Sequence, residues 1–64
     1  MGMARSGIYK FRPGERVRAN EKAPGDFRGR HGTVIGWSDS REYEVRFDGD
    51  EVTNFLDSDW LDQV

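Results

Sequence analysis

Cysteine is absent, so no disulfide can staple this chain and no thiolate can hold a metal. His31 is the only histidine, and a zinc site normally takes four ligands, several of them His or Cys. No apolar run approaches the roughly 20 residues of a membrane-spanning helix, and none resembles a signal-peptide core. Gly-x-Ser-x-Gly does not occur around any serine, and no glycine-rich loop opens a helix to cradle a phosphate. With only 64 residues there is little room for an enclosed substrate pocket. These absences lead us to expect a chain without metal, cofactor or catalysis. We expect it to be monomeric and cytoplasmic, with no membrane contact. Met1 to Ser6 formally fits the short N-myristoylation pattern, but the plain reading of residues 1–10 is a flexible N-terminal arm.

What the chain does have is aromatic residues. Tyr9, Phe11, Phe27, Trp37, Tyr43, Phe47, Phe55 and Trp60 can supply a core, because each large ring buries roughly 150–250 Å². A chain this short buries only about 60% of its unfolded surface, so the core must be thin. Charge is abundant and segregated. Residues 1–32 carry eight Lys or Arg and three Asp or Glu, whereas residues 33–64 carry two Arg and nine Asp or Glu. Such a split either marks an interaction surface or cancels when strands from the two halves interleave.

The periodicity is that of strands. Glu15 to Asn20 alternates polar and apolar after the Pro13-Gly14 turn signal. Pro24, Gly25 and Gly29 among charged residues make 21–31 a loop. His31 to Trp37 is β-rich, and Gly36 within it predicts a bulge or bend. Ser38 to Arg41 reads as a turn. Glu42 to Asp48 is the clearest strand: Tyr43, Val45 and Phe47 share one face, and Glu42, Glu44 and Arg46 the other. A tight hairpin at Asp48-Gly49-Asp50 leads into Glu51 to Leu56. Asp57 to Asp59 makes a break, and Trp60 to Val64 a closing strand. Five short strands in so few residues predict an all-β fold, a five-stranded barrel over 11–64.

Residues 14–47 taken together carry a resemblance. Gly14-Glu15-Arg16-Val17, a glycine-marked loop, Gly32-Thr33-Val34 and the alternating Tyr43-Glu44-Val45-Arg46-Phe47 resemble the KOW-type motif of SH3-like barrels in ribosomal proteins and transcription elongation factors. Gly32 would match the motif's glycine and Val34 the core position after it. The Asn20–Arg28 loop is longer here than in that pattern. The run from Phe11 to Val34 is also similar to the SH3-like barrels of nitrile hydratase β-chains and electron-transport accessory proteins, which dock onto other proteins.

Two partner classes follow. In the first, Arg16, Arg18, Lys22, Arg28 and Arg30 track a nucleic-acid backbone, with Phe27 as a stacking platform beside His31. The plainer account of the same residues has Phe27 plugging one end of the barrel while the arginines pair with carboxylates. In the second, the chain is a protein–protein adaptor using an aromatic and acidic surface from 37–62, with Trp37 and Trp60 as contacts. Both tryptophans can equally be core residues. The clusters Asp48-Gly49-Asp50-Glu51 and Asp57-Ser58-Asp59 lack calcium-loop spacing and read as a solvated turn and a strand break.

Overall fold

Alternation of buried and exposed side chains builds an antiparallel sheet in the computed structural model, which describes residues 9–39 and 41–64. Of the expected arm at residues 1–10, residues 1–8 lie outside the described residues. The strands are β1 (Arg16–Ala19), β2 (His31–Asp39), β3 (Glu42–Phe47), β4 (Asn54–Asp57) and β5 (Leu61–Gln63), with a 3₁₀ turn at Ser58–Trp60. Their order is β4-β3-β2-β1-β5. Among the described residues no ladder joins β4 to β5, so the sheet keeps two edges and does not close into the expected barrel.

β3 behaves as its sequence dictates. Tyr43, Val45 and Phe47 are fully buried, while Glu42 and Arg46 are exposed and Glu44 is half-buried. Val17 and Ala19 of β1, Val34 of β2, Leu56 of β4 and Leu61 of β5 meet them from the neighbouring strands. Phe11 and Ala23 complete the core, and Phe27 and Trp60 pack against it. The Tyr43 hydroxyl accepts hydrogen bonds from the backbone N–H groups of Lys10 and Phe11. It thereby ties the segment before β1 to the middle of the sheet. This satisfies a polar atom whose burial without a partner would cost about 1–3 kcal/mol.

Several boundaries differ from expectation. β2 runs on through Ser38 and Asp39, because Asp39 pairs with Glu42 and the Ser38 hydroxyl donates to Glu42 Oε1 at 2.7 Å. Ile35 is the extra residue of a bulge between Val34 and Gly36, which is the bend that Gly36 predicted. β4 starts at Asn54, so Asp48 to Thr53 form a loop and not a tight hairpin. The Asp48 N–H donates to His31 O, which keeps the chain on β2 past the end of β3. Asp50 N–H then closes a turn on Phe47 O, with Gly49 at φ 93° in the left-handed region. Trp60 ends the 3₁₀ turn and is not in the closing strand. Asp57 caps that turn, its carboxylate accepting from Asp59 N–H at 2.9 Å.

Gly32 sits where the β3 backbone leaves no room for a side chain on β2. A Cβ there would lie 2.8 Å from Arg46 O and 2.8 Å from Val45 Cγ1. The backbone oxygen cannot yield without shifting the ladder. Gly25, by contrast, has nothing within 4 Å of the same position. Gly32→Ala should therefore destabilise by about 1–3 kcal/mol, as overpacking does. Gly25→Ala should stay within about 0.5 kcal/mol of the parent. Urea unfolding of the two variants checks the contrast; equal midpoints would remove the close approach as the reason for glycine at 32.

Candidate functional site: an aromatic and acidic groove beside β4

The basic residues singled out in the sequence lie on β1 and on the loop that follows it. Arg16 and Arg18 both point outward from β1. Arg16 makes a two-pronged pair with Asp48, Nη1 to Oδ1 at 2.8 Å and Nη2 to Oδ2 at 2.6 Å, and also donates to Thr33 Oγ1. Arg30 pairs with Asp50 at 3.0 Å, and its guanidinium lies 5.1 Å from the Phe47 ring centre. Arg28 turns back on its own loop and donates to Ala23 O from both Nε and Nη2. Arg18 stands opposite His31 on one side and Asp62 on the other. Lys22 is exposed on the loop between β1 and β2. Phe27 stacks on Phe47, with ring centres 5.2 Å apart and planes 16° apart, and is partly buried. Arg16, Arg18 and Arg30 thus each stand against a carboxylate from the second half of the chain.

The Arg16–Asp48 pair is exposed, and the two partners agree in direction. The hydrogen bond from Arg16 is the main reason the Asp48 carboxyl lies below its ordinary value, and the same bond raises Arg16. Asp57 is lowered too, first by the Asp59 N–H that it caps and then by Arg41.

The aromatic residues are placed differently. Trp37 is 38% exposed; it meets the buried Tyr43 edge-on and carries Tyr9 on its other contact, with ring centres 4.3 Å apart. Trp60 is half-buried at the end of the 3₁₀ turn, where its carbonyl accepts from Asn20 N–H. Phe55 is 51% exposed, and it was not among the sequence candidates. Its signal is present in the sequence: Phe55 and Leu56 are adjacent in a strand, so only one can face the core. Leu56 takes the core.

Phe55 and Trp60 line an open groove of about 580 Å³ together with Asp39, Arg41, Glu42 and Asp57. The register explains the acidic wall. Asp39 pairs with Glu42 across β2 and β3, and Glu42 pairs with Asp57 across β3 and β4. Three carboxylates therefore form one row across three strands. Arg41 touches Asp57 at 3.4 Å and is otherwise largely exposed. No three such groups converge closely enough to hold a metal ion among the described residues. No helix among the described residues is long and apolar enough to cross a membrane.

Fold and groove together define a small all-β, antiparallel-sheet domain with an aromatic surface site. No family model matches the chain, and neither a curated protein nor a solved structure is significantly similar to it.

The lowered Asp48 carboxyl sets a pH dependence. A carboxyl held below its ordinary value of 3.8 stabilises the fold above that value, and the contribution fades as pH falls through the lower, folded value. The difference in Tm between the parent and Asp48→Asn should hold steady from neutral pH down to about pH 5 and vanish in acid. Thermal unfolding followed by circular dichroism tests it. A difference that persists unchanged at the acid end would show that the ion pair is not its source.

Proposed function

We propose that this domain is an SH3-like barrel left open between β4 and β5, and that it works as a non-catalytic adaptor docking a segment of another protein. The bent β2, shared by both halves of the sheet, and the short turn before the last strand support the barrel reading. So does Gly32: the residue that matches the KOW-type glycine lies where the β3 backbone leaves no room for a side chain on β2.

The observation that carries the adaptor reading is the groove itself. Phe55 leaves half its surface in water beside Trp60, on a sheet edge with no ladder partner. A lone exposed ring needs no explanation, but two rings sharing one concave surface beside an unpaired edge fit peptide recognition. The nucleic-acid reading needs Arg16 and Arg30 free to meet phosphates. Both are engaged with Asp48 and Asp50, and further carboxylates are interspersed along the same surface. Negative groups placed among the cations oppose a polyanion at every position.

Capture from one extract, with and without nuclease treatment, separates the two partner classes. The parent chain should retain a protein partner, and Phe55→Ser should lose most of it while keeping the parent's circular dichroism spectrum. If the retained material is RNA or DNA and is released by Arg18→Glu and Lys22→Glu instead, the adaptor reading is wrong and the basic residues are the site.

A further inference from the structure

The geometry points to a partner segment that carries lysine or arginine, seated with its cation against the row formed by Asp39, Glu42 and Asp57. This rests on the adaptor reading and names the chemistry of its ligand. Like charges directly opposite one another on a sheet repel, because paired side chains stand about 5 Å apart. Here carboxylates stand opposite one another twice in one row, Asp39 with Glu42 and Glu42 with Asp57. Elsewhere on the sheet no two carboxylates stand opposite: Arg16 faces Thr33, Thr33 faces Arg46, and Arg18 faces His31 on one side and Asp62 on the other. The acidic row lines a groove that also holds two aromatic rings.

Arg41 and Lys10 offset the row only at its Asp57 end. Among the described residues the Arg41 side chain reaches Asp57 alone, at 3.4 Å, and it keeps 70% of its surface in water. The three carboxylates are strung along the groove and do not converge, which suits an ammonium or guanidinium on an extended chain better than a metal ion. Phe55 and Trp60 can take the cation's methylene stem or its charge against a ring face. The unpaired edge of β4 runs along the same side and offers backbone groups to an extended segment. β4 carries no lysine, proline or bulge to discourage such pairing.

Titration of the isotope-labelled full chain with three blocked peptides tests this by NMR. The probes are Thr-Lys-Thr-Lys-Thr-Lys-Thr and its counterparts with Gln or Glu in place of Lys. The lysine peptide should shift the Trp60 indole and the amides of Phe55 and Asp57 saturably, and salt should weaken the effect. In the double variant Asp39→Asn, Glu42→Gln the affinity should fall about tenfold, as loss of a charge-complementary contact does. Both replacements keep an acceptor oxygen for Arg41 N–H and for Ser38, so the turn they support stays folded. If the glutamine peptide binds the same residues equally well, the cation inference falls and the docking groove stands. If the lysine peptide shifts only other surfaces, or nothing at about 5 mM, a concentration that exposes even weak binding, both fall together.

Discussion

The pairing of β2 with β3 is the constraint on which the other features depend. It is the longest ladder in the sheet, and it joins the half of the chain that is rich in cations to the half that is rich in carboxylates. Its inner side sets Val34, Val45, Phe47 and Tyr43 against one another in the core. Its register also sets everything on the outer side. A slip of one residue would turn Tyr43, Val45 and Phe47 to water and Glu42, Glu44 and Arg46 inward. Gly32 protects that register, since its missing Cβ is what lets β2 lie this close to Arg46 O. The bulge at Ile35 then shifts the pairing so that Trp37 faces Tyr43, and a second shift at Ser38 sets Asp39 opposite Glu42.

The segregated charge has a structural resolution. β1 from the basic half lies between β2 and the acidic β5, and the loop before β4 folds back toward β1. Arg16 thus meets Asp48 and Arg30 meets Asp50, although each pair is far apart in sequence. Exposed pairs of this kind add little to stability one at a time. The two-pronged geometry at Asp48 does more to position the 48–53 loop than to hold the fold, whose stability comes from buried apolar surface. The cations spent there are the ones that a polyanion would have needed.

Much of the fold is legible in the sequence, for identifiable reasons. The inner face of β3 is legible because three large apolar residues alternate with three charged ones. The bend at Gly36 is legible because glycine inside a β-branched run has few other uses. Illegible features come from long-range contacts. The start of β4 depends on Asp48 N–H finding His31 O, which no local pattern encodes. Ala23 is buried inside a loop because Arg28 folds back onto its carbonyl and Phe27 stacks on Phe47. The groove is only half legible. Trp60 stands out by residue type, and Phe55 by its place beside Leu56. The acidic row does not, because Asp39, Glu42 and Asp57 are aligned by register across three strands and belong to no motif.

That row also bears on how such a small domain divides stability from recognition. Its members lie on the outer surface, so removing them costs no apolar contact. Like charges stand opposite one another along it, an arrangement that a lysine at Asp39 or Glu42 would relieve. Asp57 has a second task, capping the 3₁₀ turn that delivers Trp60 to the groove. Asp39 and Glu42 have only local hydrogen bonds to Arg41 N–H and Ser38, which neutral amides could accept as well. Charge at these two positions therefore contributes little to the fold and is available to a ligand. The same division holds on the other face of β4, where Leu56 secures the core and leaves Phe55 free for contact.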